Sequence, residues 1–138
     1  MIPRANITTW RTTAPWPDNT QVEQDLILSR ALVTMYKHPV VAKQAVFRGG
    51  TALHKLFFEP AGRYSEDIDL VQREAGPIGG LIDAIREVLD PWLGKPKWKQ
   101  GSSRTRSFEY RLSKEQKLAH ESKNPTMNHC IWHPGRRI

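Results

Sequence analysis

Two aspartates placed two positions apart, Asp67 and Asp69, are the residues whose type and spacing best suit chemistry. They alternate with Ile68 and Leu70, a pattern that predicts a β-strand with period two. Residues two apart on a strand point to the same face, so both carboxylates would converge on one spot. Two like charges there are unfavourable unless a cation neutralises them, and oxygen ligands suit Mg²⁺. The pair therefore predicts a divalent metal site, with an acidic strand edge facing solvent as the simpler alternative.

A glycine pair lies upstream of the aspartates, where Gly49, Gly50 and Thr51 separate a short apolar run at 44–48 from a helical pattern at 51–58. A strand that ends in two glycines and turns into a helix lets the backbone approach a ligand without an intervening Cβ. It also aims the free amides of the helix at an anion, and Thr51 would add a hydroxyl donor. A plain tight turn is the simpler interpretation. Together with the aspartates, the glycines predict a triphosphate cradle beside a metal site.

The other periodic segments are helices and strands that would position these motifs. A helix of about five turns is predicted from Thr20 to the residues before Pro39. Another is predicted at 81–89, ending at Pro91, and two more strands are expected near Trp98 and at 108–112. The residues expected on one face of the first helix are Val22, Leu26, Ser29, Val33 and Tyr36.

The pattern divides the chain into three parts. Residues 1–18 hold Trp10 and Trp16 without any period and predict an extended N-terminal arm whose tryptophans pack back onto the domain. Residues 19–112 form the predicted core. Residues 113–138 lose the pattern, which predicts an irregular or truncated C-terminal tail.

Composition indicates a cytoplasmic protein without a membrane span. The 138 residues include a single cysteine, Cys130, which excludes an internal disulfide framework, and no apolar run is long enough to cross a bilayer. The net charge of +7 is concentrated downstream of residue 70, most strongly within 95–117. Such an excess attracts polyanions such as nucleic acid, although a solvated basic face would have the same composition.

The segments FRGGTALHKLF at 47–57 and RYSEDIDL at 63–70 resemble the AbiEii-like nucleotidyltransferase toxin family. This family belongs to the DNA polymerase beta-type nucleotidyltransferase superfamily. The resemblance is close over 20–75 and loose over 76–112. It implies an α+β fold, in which a nucleotidyltransferase-like mixed sheet is flanked by helices.

The resemblance also implies a function and a set of site residues. The expected reaction is magnesium- or manganese-dependent transfer of a nucleotide from a nucleoside triphosphate to an RNA (tRNA in some members) or another acceptor. The expected setting is a type IV toxin–antitoxin or abortive-infection (phage-defence) system with a separate antitoxin. By the resemblance, Asp67 and Asp69 match the catalytic metal ligands, and Gly49, Gly50 and Thr51 match the phosphate-binding turn. Within the same motif, Ser65 is expected to bind phosphate or orient Asp67, and Lys55 to lie on the helix surface.

The family's further acidic strand, its lysine and a later aspartate find no clear match downstream. Glu109 is the nearest candidate for a third metal ligand, with an exposed strand glutamate as the alternative. We therefore also expect a shortened family member, either a fragment or a reading frame altered after about residue 113. Two alternatives to an active enzyme follow: a non-catalytic nucleotide- or RNA-binding module, and an antitoxin-binding fragment.

Overall fold

The computed structural model describes residues 2–59 and 62–97 with their side chains, and the main chain of residues 98–100, 106–109 and 130–133. Within these residues there are five helices and five strands. Their bounds are α1 Arg4–Trp10, α2 Asn19–Lys37, α3 Pro39–Gln44, β1 Ala45–Arg48, α4 Gly49–Leu56, β2 Ile68–Gln72, α5 Gly79–Leu93, β3 Lys97–Gln100, β4 Arg106–Glu109 and β5 Cys130–His133.

The five strands form one mixed sheet in the order β1-β2-β5-β4-β3. Strand β2 pairs antiparallel with β1 and parallel with β5, whereas β5 with β4 and β4 with β3 are antiparallel pairs. Helices alternate with the first strands along the chain. The predicted α+β class, a mixed sheet with flanking helices, is confirmed.

One face of β2 carries the core. Ile68, Leu70 and Gln72 are buried, while Asp69 and Val71 between them are half-buried, as a period of two requires. Helices α2, α3 and α5 cover the buried face with apolar side chains. The largest of these side chains are Leu28, Met35, Val41, Leu81 and Leu89. The aspartates therefore occupy the positions that alternate with the buried core residues.

The N-terminal segment 1–18 is not an extended arm throughout. Residues Arg4–Trp10 form α1, and the tryptophan predictions hold, because Trp10 donates a hydrogen bond to Asp25 and Trp16 is buried. The sequence of α1 shows no regular amphipathic period that would predict a helix. The helix packs in a small second core that includes the tryptophans and Val22. Its seven residues are too few to be stable alone, so tertiary packing decides the structure here.

The C-terminal segment 113–138 is not irregular throughout. Cys130–His133 forms β5, which lies between β2 and β4 in the sheet. A strand of four residues carries almost no local signal, because it is specified by pairing on both sides rather than by its own pattern. The rest of this segment lies outside the described residues.

Helix ends differ from the sequence expectation by a few residues. Asp18 caps α2 by accepting from the Thr20 amide at 2.6 Å, so α2 begins at Asn19, one residue before its predicted start at Thr20. Helix α5 continues through Pro91 to Leu93 and ends at Gly94, whose φ is +80°. A proline so close to the end of a helix disturbs only the last turn. None of the described helices is both long and apolar enough to cross a membrane.

Candidate metal and phosphate site

The glycine turn and the second aspartate lie against each other. Arg48, the last residue of β1, pairs with Asp69 of β2, so the turn that follows β1 begins beside this aspartate. Gly49 has φ +80°, a conformation that favours glycine. A Cβ placed at Gly49 would lie 2.0 Å from Asp69 Oδ2, a distance that no real side chain can occupy. The absence of a side chain is therefore required both by the backbone and by the carboxylate.

The second glycine lies beside the serine of the aspartate motif. A Cβ at Gly50 would lie 3.2 Å from the Ser65 hydroxyl oxygen, tighter than an ordinary contact. Helix α4 begins at Gly49, and Arg48 before it makes no side-chain capping hydrogen bond. The first amides of α4 thus face a surface shaped by two glycines, which is the geometry that anions use at helix N-termini.

Thr51 joins the two motifs. Its hydroxyl is hydrogen-bonded to the Ser65 hydroxyl at 2.8 Å and to the main-chain carbonyl oxygen of Asp67. Thr51 is only 1% exposed, whereas Ser65, Asp67 and Asp69 are half-buried. The turn and the Asp67-x-Asp69 strand are therefore locked together by a side chain at their base. We call Gly49, Gly50, Ser65, Asp67 and Asp69 the Asp67–Asp69 edge.

The donor types of this edge fit a divalent cation and a phosphate. Two carboxylates are what Mg²⁺ commonly takes from a protein, and waters and phosphate oxygens complete its shell. The Asp69 carboxylate packs directly against the Gly49 backbone, so this donor lies beside the glycine turn. No group of three or more His, Cys, Asp or Glu side chains that could hold a metal occurs in the part of the chain described with side chains.

Glu109, the expected third ligand, is the last residue of β4. The strand register pairs Asp69 with Ile131 and Ile131 with Ser107. Ser107, two residues before Glu109 on β4, therefore lies in the row of Asp69, two strands away or about 10 Å. Its side chain lies outside the described part of the structure, so its role as a ligand stays a prediction.

A buried ion pair around Asp25 was not expected from the sequence. Asp25 of α2 is 2% exposed. Its carboxylate accepts from Trp10 Nε1 at 2.8 Å and from Lys55 Nζ at 2.7 Å, and His54 Nε2 lies 3.5 Å away. Lys55 is thus an ion-pair partner of a buried acid and not a surface residue. We call Trp10, Asp25, His54 and Lys55 the Asp25 cluster.

The face of α2 explains why this cluster was missed. The sequence expectation put Val33 on the buried face, but Val33 is exposed and the buried positions include Val22, Asp25 and Leu28. These three are spaced by three residues, so Asp25 shares the apolar stripe. The sequence signal for this cluster was a charged residue, Asp25, at a position of the apolar stripe of α2.

Tyr64 and His54 are electrostatically perturbed by the same surroundings. Burial, and then the negative charges of Glu66, Asp25 and Asp18, raise the pKa of Tyr64, so its phenol keeps its proton. Burial, and then the positive charge of Lys55, lower the pKa of His54 against the opposing effect of Asp25. Trp16 contacts both rings edge-on, at centroid distances of 5.4 Å to His54 and 5.2 Å to Tyr64.

Comparison with known proteins identifies the family. The model of the nucleotidyl transferase AbiEii toxin family, of type IV toxin–antitoxin systems, matches residues 30–127, more than half of the 138-residue chain. The chain belongs to this family. The matched AbiEii span contains both the glycine turn and the two aspartates, so the resemblance drawn from those motifs is confirmed.

A solved structure shows the same fold. MenT4, a nucleotidyltransferase toxin from Mycobacterium tuberculosis H37Rv, matches with a TM-score of 0.53 and 17% sequence identity. The match covers 99% of this AbiEii-family chain and 44% of MenT4, so the chain spans less than half the length of MenT4. Comparison with curated proteins gives no match.

Proposed function

We propose that this chain forms the metal- and phosphate-binding part of a nucleotidyltransferase that moves a nucleotide from a nucleoside triphosphate to an RNA, with tRNA as the first acceptor to test. The observation that carries the proposal is the contact between the bare backbone of Gly49 and the carboxylate of Asp69. Membership of a nucleotidyltransferase toxin family supports it. Asp67 and Asp69 would hold Mg²⁺ or Mn²⁺, with Glu109 as a further ligand to be tested.

The proposed division of labour follows from the donors present. The amides of Gly49 and Gly50 at the start of α4 donate to phosphate oxygens, and the Ser65 hydroxyl lies beside Gly50 where it can add a contact. When bound, the cation neutralises charge at the triphosphate oxygens. In such reactions the protein mainly positions reactants and stabilises charge. The buried Thr51 hydroxyl and the strand β2 would hold the site residues in place for this purpose.

The biological setting is proposed from the family. A type IV toxin is paired with a separately encoded antitoxin, and we propose such a protein as the partner of this chain in a cytoplasmic phage-defence (abortive-infection) system. The basic residues within 95–117 are the proposed contact for an RNA acceptor. Of these, Lys95 and Lys97 are exposed.

The test is nucleotide transfer with labelled triphosphates, total tRNA and Mg²⁺. We expect wild-type protein to label the RNA, and Asp69→Ala to lose the labelling by about a thousandfold, as expected when a metal ligand is removed. Asp83→Ala, which removes an exposed carboxylate from α5, is the matched control and should label normally. Equal labelling by wild type and Asp69→Ala would refute the assignment. Metal-dependent nucleotide binding without labelling would instead favour a non-catalytic binding module.

A further inference from the structure

The hydroxyl of Thr51 lies at the base of the site and not on its surface. Thr51 is 1% exposed, and its oxygen contacts the Ser65 hydroxyl oxygen and the carbonyl oxygen of Asp67. Gly49 and Gly50 form the turn, and Thr51 follows them as the third residue of α4. A group that binds a nucleotide must be reachable from solvent, so its burial already argues against direct contact.

Counting protons sharpens the argument. A carbonyl oxygen can only accept, so the single hydroxyl proton of Thr51 is donated to Asp67. The contact between the two hydroxyls is then made with the proton of Ser65, donated to the Thr51 oxygen. Phosphate oxygens also only accept. While Thr51 holds Asp67, it has no proton left for a phosphate, whereas Ser65 can rotate and donate to one.

The position of Asp67 shows what this bond accomplishes. Strand β2 begins at Ile68, whose partner on β5 is Cys130, and its pairing with β1 runs from Asp69 onwards. Asp67 precedes the strand and so lies outside the ladder that fixes Asp69. The Thr51 bond extends the anchored main chain by one residue, to the first of the two aspartates.

We infer that Thr51 is a positioning residue for Asp67: its buried hydroxyl ties the first turn of α4 to the main chain of that aspartate and so sets the carboxylate relative to the glycine turn. The inference rests on the proposed function, because it takes Asp67 to be a metal ligand. It replaces the sequence expectation that Thr51 donates to the triphosphate.

The test measures Mn²⁺ affinity of the nucleotide-free chain, from the electron paramagnetic resonance signal of free Mn²⁺. Thr51→Val keeps the shape and removes the hydroxyl, and it should weaken Mn²⁺ binding about tenfold, the effect of losing one buried hydrogen bond. Thr51→Ser keeps the hydroxyl and should bind within about twofold of wild type. Ser65→Ala leaves the bond from Thr51 to Asp67 intact and should also bind Mn²⁺ nearly normally, with weaker nucleotide binding.

Two results would overturn the inference. The first is a Thr51→Val protein with wild-type Mn²⁺ affinity but weakened nucleotide binding, which is the behaviour of a phosphate ligand. The second is a Thr51→Ser protein as impaired as Thr51→Val, because the hydroxyl is then irrelevant. Should Thr51→Val fail to fold by circular dichroism, Thr51→Ala takes its place with the same expectation. Wild-type protein that binds no Mn²⁺ would overturn the proposed metal site as well, which separates that failure from failure of the Thr51 role alone.

Discussion

The Asp25 cluster and the Asp67–Asp69 edge both contain aspartate, but the carboxylates have different surroundings. Asp25 is buried, and its carboxylate accepts from Trp10 and from the ammonium group of Lys55. Asp69 is half-buried on β2, an inner strand of the sheet, and lies against the backbone of Gly49. In the first cluster the protein supplies the cation from its own sequence. In the second, the carboxylate lies beside a glycine turn, where we propose that a cation and a phosphate from solution bind.

The difference shows that a carboxylate marks a site only through its neighbours. A buried ion pair connects elements, and here Asp25 joins α2 to α1 through Trp10 and to α4 through Lys55. Helix α4 therefore has its far end fixed to α2 through Lys55 and its near end fixed through Thr51 to Asp67, just before β2. The glycine turn is thus presented by a helix held at both ends.

The largest expected effect breaks the Asp25 cluster. In Lys55→Met the apolar stem is kept but Asp25 is left as a buried charge without its cation, so we expect a loss of about 3 kcal/mol of unfolding free energy. The measurement is urea unfolding. Combining Lys55→Met with Asp25→Asn should recover much of the loss, because the uncompensated charge is gone.

Lys43→Met, at an exposed position of α3, is the matched control and should change stability by less than about 0.5 kcal/mol. A Lys55→Met protein as stable as this control would show that the pair is dispensable. The distinction between a structural and a functional acid would then lose its basis.

A smaller effect distinguishes a glycine that is needed only for its backbone conformation from one that is also needed for metal binding. Gly49 and Gly94 both have φ +80°, but a Cβ at Gly94 meets nothing within 4 Å whereas one at Gly49 meets Asp69. Alanine at Gly94 should cost about 1–3 kcal/mol of stability through its backbone conformation alone, and alanine at Gly49 should cost more because its Cβ also collides with Asp69. Only Gly49→Ala should also weaken Mn²⁺ binding, by more than about tenfold, because it displaces a ligand. Equal Mn²⁺ affinity in the two variants would contradict the placement of the metal beside Gly49.

The smallest effect is a pH dependence from His54 in the Asp25 cluster. Its folded-state pKa lies below the ordinary value of 6.5, because of burial and the charge of Lys55. Nδ1 of the ring is buried and has no hydrogen-bond partner among the described residues, so a second ring proton would lack an acceptor. Between the folded and unfolded pKa values the unfolded chain binds more protons, so stability rises with pH up to about 6.5 and is lost as pH falls through the folded pKa.

The comparison protein for this effect is His54→Gln. Urea unfolding at several pH values between about 5 and 7 should show a steeper rise in stability for wild type than for the variant. Parallel curves would mean that His54 titrates equally in the folded and unfolded chains, against the environment described for it.

The local signals of the Asp67–Asp69 edge were strong enough to predict from sequence. Alternation around Asp67 and Asp69 indicated β2, and the glycines indicated the turn before α4, since backbone conformation and period leave marks within a few residues. The structure brings the glycine turn to Asp69, as expected. The metal and phosphate roles of these residues stay predictions.

Features that depend on distant partners could not be predicted in the same way. Helix α1 is held by tryptophans and by Val22, and β5 by the strands on both sides of it. The proton of Thr51 is committed to a carbonyl group 16 residues away, so its hydroxyl looked available for phosphate in the sequence. Asp25 left a faint trace, a charge within an apolar stripe, but its lysine partner is 30 residues further along the chain.

The most direct test of the central claim is a crystal structure of the chain with Mn²⁺ and a non-hydrolysable nucleoside triphosphate, using anomalous scattering to locate the metal. The account predicts an anomalous peak within coordination distance of both Asp67 and Asp69, and triphosphate oxygens on the amides of Gly49 and Gly50. Manganese bound elsewhere, or a nucleotide that leaves the glycine turn empty, would contradict it.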